Sequence, residues 1–162
     1  MRSDGKTTLI LGLGNDILGD DAVGMHAARS LQKEYGEAVD IVEAAVGGFA
    51  LIDLLEGYDN ALLLDATATG RAAPGTVLEF AREDFGAPDS TSPHAVGLPE
   101  VFAVANRLSI QLPRDVRILA MEITPPELLM ESLSPVVQQA LPSFVERAAA
   151  VLNEWGIKGA PQ

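Results

Sequence analysis

Short apolar runs alternate along this chain with segments of helical spacing, and that alternation restricts the fold more than any other feature. Residues 8–13 (TLILGL) form an apolar run too short for a helix, ending in Gly12-Leu13-Gly14-Asn15, and are expected to form a first strand. Residues 22–35 follow with Val23, Ala27, Ala28 and Leu31 on one side, and Asp20 and Asp21 precede them where carboxylates suit a helix N-terminus. Further strands are expected over 39–42, 61–64, 75–81 and 116–121, with helices over 49–55, 99–108 and 135–155. Pro142 falls inside the last helix and is expected to kink or split it, and the tail after Trp155 is expected to fray. Strands alternating with helices imply a mostly parallel sheet covered on both faces. The whole chain, 1–162, reads as one domain with its core over about 7–155.

Composition narrows the function. The 162 residues carry a net charge of −12, and no Lys/Arg cluster reverses it locally, which argues against nucleic acid and anionic membrane as partners. There is no cysteine, so disulfides, thiolate metal sites and cysteine nucleophiles are excluded. A bound metal would have to take carboxylate, imidazole or backbone oxygen ligands. No stretch approaches a membrane span, and the opening apolar run reaches Gly12 too soon for a signal-peptide core, so the cytoplasm is the expected compartment.

Open α/β sheets bind ligands beyond the carboxyl ends of their strands. Asp20 and Asp21 follow the first strand, Asp65 closes the third, and His94 lies in the long loop before the 99–108 helix. Taken singly, Asp21 suits a helix-capping role, Asp65 a turn, and His94 an ordinary loop position. His26, the other histidine, reads as a structural residue of the first helix. Taken together, two carboxylates and an imidazole would leave open coordination positions and suit nickel, zinc or another divalent ion with exchangeable ligands. Asp20, Asp21 or Asp65 could equally serve in acid–base chemistry, and Asp21 with Asp65 could share a proton if they face each other.

Competing motifs are incomplete. Gly12-x-Gly14 follows a strand as in a dinucleotide turn, but Ile17 stands where the third glycine belongs, no phosphate-loop lysine is present, and an acidic pair sits where a pyrophosphate would. There is no Gly-x-Ser-x-Gly elbow, and Ser92 near His94 is not a triad.

The runs Leu9-Ile10-Leu11-Gly12-Leu13-Gly14-Asn15 and Gly19-Asp20-Asp21-Ala22-Val23-Gly24, then Leu64-Asp65-Ala66, then Ser92-Pro93-His94-Ala95-Val96-Gly97-Leu98, resemble in order and spacing the three motifs of the nickel–iron hydrogenase maturation endopeptidases. The resemblance extends from the first strand through the last helix. It implies a phosphorylase/hydrolase-like three-layer α/β/α sandwich, with a five-stranded mixed sheet of order 2-1-3-5-4 and strand 4 antiparallel. It implies that Asp21, Asp65 and His94 contact metal, with Asp21 and Asp65 as the catalytic carboxylates of an aspartyl-type endopeptidase. The substrate would be the hydrogenase large-subunit precursor after nickel insertion, trimmed of its C-terminal extension. The nickel would arrive with the precursor, and no organic cofactor is expected. Two departures stand out: Asp21 occupies a position that is often Glu, and Glu43-Ala44-Ala45-Val46-Gly47-Gly48 replaces an Asp-Gly-Gly-Thr-like stretch. A non-catalytic, metal-sensing chaperone that binds the same precursor is the alternative.

Overall fold

A computed structural model describes residues 5–84 and 97–160. Five strands form one sheet: β1 (Thr8–Leu13), β2 (Asp40–Ala44), β3 (Asn60–Thr67), β4 (Val77–Ala81) and β5 (Asp115–Glu122). Their order is β2-β1-β3-β5-β4, with β4 antiparallel to β5 and the other pairings parallel. The α-helices are α1 (Val23–Tyr35), α2 (Leu51–Leu55), α3 (Leu98–Arg107) and α4 (Pro135–Glu154).

Side-chain alternation along the strands divides the core in two. Ile10, Leu62, Leu64, Leu119 and Met121 face one way and pack with Val23, Ala27 and Leu31 of α1 and Phe144, Ala148 and Val151 of α4. Leu9, Leu11, Ala61, Leu63 and Ile118 face the other way, under Leu51 and Leu55 of α2, Tyr58, and Leu98 of α3. Both faces of β1 and β3 are thus covered, which is why these strands read as unbroken apolar runs. The three-layer α/β/α arrangement is the one the resemblance implies.

The expected split of the last helix and the expected fraying after Trp155 are corrected. α4 runs unbroken from Pro135 to Glu154 with Pro142 inside it. Burial of Val137, Phe144, Ala148, Val151 and Leu152 along one stripe outweighs the hydrogen bond that proline cannot make. Residues 156–160 are docked rather than frayed. Gly156 adopts φ 77°, its N–H reaches the Asn153 carbonyl at 2.9 Å, and the Ile157 N–H reaches the Leu152 carbonyl at 2.9 Å. This is a Schellman helix stop. Ile157 then packs against the core, and the Ala160 N–H donates to the Glu34 carbonyl at 2.7 Å. No helix among the described residues is long and apolar enough to cross a membrane.

Candidate active site

The chain leaves β1 to build β2 on one side and returns to build β3 on the other. The carboxyl ends of β1 and β3 therefore form the topological switch point, the place where such sheets take ligands. A 3-10 turn over Gly19–Ala22 carries Asp20 and Asp21 into this region and packs against β3. Two glycines make the approach possible. A Cβ on Gly14 (φ 148°) would stand 2.3 Å from the Asp21 carbonyl oxygen. A Cβ on Gly24 would stand 2.1 Å from the Leu64 carbonyl oxygen and 2.6 Å from that of Leu13. The start of α1 therefore lies directly on the ends of both strands, beside Asp65.

Asp65 lies deeper than a strand-closing turn residue. β3 continues to Thr67, Asp65 is in register with Ala120 of β5, and its exposure is 0%. Its Oδ1 accepts the Ala66 N–H at 2.8 Å. Asp21 is half-buried, and Asp20 is 9% exposed. The Asp20 carboxylate accepts the Ser134 N–H at 2.6 Å and the Ser134 hydroxyl at 2.7 Å. Ser134 is the N-cap residue of α4 but does not cap its own helix. Its hydroxyl instead ties the helix start to the turn, and the positive end of the α4 dipole favours the Asp20 charge. Asp20 is thus a latch in the structure.

His26 sits half-buried in the first turn of α1, and its carbonyl accepts the Ser30 hydroxyl at 2.9 Å. His94 lies outside the described residues. Among the described residues no group of three His, Cys, Asp or Glu side chains could hold a metal ion. Asp20 and Asp21 lie on the turn after β1 that packs against β3, the strand that carries Asp65.

Three features around this end were not singled out from the sequence. Glu122, 1% exposed, accepts the Gly70 N–H at 2.7 Å and the Thr69 hydroxyl at 2.8 Å, anchoring the loop after β3. The signal available was a lone acid closing the apolar run Ile118-Leu119-Ala120-Met121. Arg29 of α1 bridges Asp16 at 2.8 Å and Glu43 at 2.5 Å, joining the β1–α1 loop to the end of β2. The Glu43 and Asp16 hydrogen bonds hold the Arg29 guanidinium above its ordinary pKa, against a smaller opposing effect of burial. Glu43, the first residue of the departing stretch, is thus spent on an ion pair, while the Ala44 carbonyl accepts the Gly14 N–H at 3.3 Å. Finally, the 124–134 segment crosses over to the β1–α1 loop. The Met130 N–H donates to the Ile17 carbonyl at 3.0 Å, and the Gly19 N–H to the Met130 carbonyl at 2.6 Å.

Comparisons with known proteins agree with this arrangement. A family model described as hydrogenase maturation protease matches residues 25–151. The chain is 28% identical over 160 residues to the hydrogenase 2 maturation protease of Escherichia coli (strain K12), covering 95% of each. The structure of the hydrogenase maturating endopeptidase HybD from E. coli superposes with a TM-score of 0.78 at 27% identity, over 96% of this chain and 97% of that one. The [NiFe] hydrogenase maturation protease HybD from Thermococcus kodakarensis gives a TM-score of 0.68 at 26% identity, over 89% and 97%. The sheet order, the switch-point carboxylates and a match spanning nearly the whole chain lead to one assignment: this chain belongs to the hydrogenase maturation protease family and is an endopeptidase.

Proposed function

We propose that this enzyme removes the C-terminal extension of a nickel–iron hydrogenase large-subunit precursor once nickel has been inserted, and that it acts in the cytoplasm. The observation that supports the reading is that the turn carrying Asp21 packs against β3, which carries Asp65 near its carboxyl end, with Gly14 and Gly24 allowing the close approach. In this reading Asp21, Asp65 and His94 receive the nickel that the precursor brings.

The donor set suits such a cargo. Carboxylate oxygen and imidazole without thiolate make an open site for a borderline divalent ion, one that releases its metal readily. When bound, the ion supplies polarisation of the scissile carbonyl and orients the bond. The chain's own groups do the proton work. One carboxylate of Asp21 and Asp65 accepts the proton of the attacking water and returns it to the amine nitrogen as the peptide bond breaks. Burial of Asp65 keeps its carboxylate in one orientation through its hydrogen bond to the Ala66 N–H. Asp20, committed to Ser134, holds the turn in place rather than reacting.

Intact-mass measurement of nickel-loaded and nickel-free precursor after incubation with the enzyme tests the reading. Loss of the tail from the loaded form alone is the expected result. Equal cleavage of both forms, with tight stoichiometric nickel binding by the free enzyme in calorimetry, would establish a metalloprotease that keeps its own ion. Binding of the precursor with no cleavage would establish a chaperone.

A further inference from the structure

Large apolar side chains stand exposed beside the site. Ile17 is 49% exposed, Leu128 75%, Leu129 73% and Met130 50%. Scattered exposed leucines are ordinary, but a contiguous group has a meaning. Leu128, Leu129 and Met130 are consecutive in the chain, and Ile17 lies on the loop paired with them. Met130 and Ile17 are joined through their backbones, and Leu128 and Met130 line a cavity of about 290 Å³ whose opposite wall is Gly19 and Asp20. Pro125, Pro126 and Ser134 also line it.

The segment that presents them is held at both ends. The Ile123 N–H donates to the Thr67 carbonyl at 2.8 Å, Met130 is stapled to the β1–α1 loop, and Ser134 is latched to Asp20. A loop that exposes consecutive leucines on a pinned backbone incurs less backbone ordering cost when a partner covers them, leaving mainly the side-chain rotamers to order. Arg29, which reaches the β1–α1 loop, is already paired there with Asp16 and Glu43. Residues 122–134 and 14–24 contain no lysine or arginine, while Glu127 lines the cavity together with Asp20.

We propose that the ledge formed by Ile17, Leu128, Leu129 and Met130 is the docking surface for the precursor's tail, taken as an extended, apolar segment of net positive charge. This rests on the precursor reading above and adds to it the means by which the enzyme grips the polypeptide apart from the ion. The apolar ledge supplies attachment, the carboxylates beside it favour a basic segment, and the ledge is continuous through Gly19 and Asp20 with the turn that carries Asp21.

The test compares wild-type enzyme with Leu128→Ser/Leu129→Ser, and with Leu108→Ser as a remote exposed control, since Leu108 is 64% exposed at the end of α3. Binding to the nickel-loaded precursor is measured directly, with and without its tail, alongside cleavage kinetics. The double variant should raise KM and weaken tail-dependent binding by about tenfold, leave kcat within about twofold, and keep its melting temperature. Leu108→Ser should change none of these. Unchanged binding and KM in the double variant would overturn the ledge while leaving the precursor reading standing. Wild-type enzyme that neither binds nor cleaves precursor would overturn both. A change in sedimentation mass on mutation, with precursor binding intact, would reassign the ledge to contact with a second copy.

Discussion

Asp20 and Ser134, separated by 114 positions in the chain, are joined by two hydrogen bonds at 2.6 and 2.7 Å from the serine N–H and hydroxyl to the carboxylate. The bond pair fastens the start of α4 to the turn that carries Asp21. Asp20→Ala leaves a half-buried Ser134 N–H and hydroxyl without their acceptor and should cost about 2 kcal/mol in denaturant unfolding. Ser134→Ala removes one of the two bonds and should cost less. The double variant should fall short of the sum, because both changes remove one latch. Strict additivity would show that the latch carries no coupling energy.

Asp21, Asp65 and His94 should each be required for cleavage, and His26 should not. The controls differ because burial differs. Asp65 has no exposed surface, so Asp65→Ala should lower stability by about 1–3 kcal/mol through the lost partner of the Ala66 N–H, whereas Asp65→Asn preserves volume and tests the charge. Asp21→Asn, which preserves volume and removes the charge, should abolish processing. If His26→Ala eliminates cleavage and His94→Ala does not, the imidazole assignment is wrong.

Gly24→Ala introduces a methyl group 2.1 Å from the Leu64 carbonyl oxygen, a backbone atom of the central strand. Relief requires α1 to lift from β1 and β3, and the expected loss is about 3 kcal/mol. Processing should fall with it because the Gly19–Ala22 turn moves with the helix start. An alanine variant of native stability would mean that the helix approaches the sheet less closely than described. Gly70→Ala, with open space around its Cβ position but φ 69°, should cost about 1 kcal/mol through backbone strain alone.

Removing residues 156–162 should destabilise the fold by about 1–2 kcal/mol, since Ile157 loses its place on the core and α4 loses its stop signal. Thermal unfolding of the truncated chain measures this directly. An unchanged midpoint would show that the docked tail contributes nothing.

Arg29→Ala should change stability by under about 1 kcal/mol, and less at high salt, because the Arg29 side chain is 42% exposed. The raised guanidinium pKa sets the sign of any pH dependence from this group. Its contribution is present below the ordinary arginine range and is lost only as pH rises through the higher folded value. Between pH 5 and 9, as a rough working range, Arg29 should therefore produce no titration step in stability.

What the sequence determined by itself was local and periodic. The run Thr8–Leu13 forms the expected strand to the residue, because six consecutive buried positions flanked by Lys6 and Gly14 leave little choice of register. The positions of the acids after the first strand and of Asp65 on the third were legible too, because the order of strands and turns along the chain places them toward the carboxyl end of a parallel sheet. The helix stop at Trp155-Gly156-Ile157 was written there too, in a glycine followed by an apolar residue, although it read as a frayed end. Only the tertiary structure separated Asp20 from Asp21. Adjacent, identical side chains differ solely in what lies opposite them, and what lies opposite Asp20 is Ser134, brought there by the β5–α4 crossover. The same crossover placed Leu128, Leu129 and Met130 against the β1–α1 loop. In the linear chain they are three apolar residues after two prolines, and nothing in their spacing says whether they face the core or solvent. Pairings between distant segments are decided by the summed packing of every element between them, which no local pattern contains.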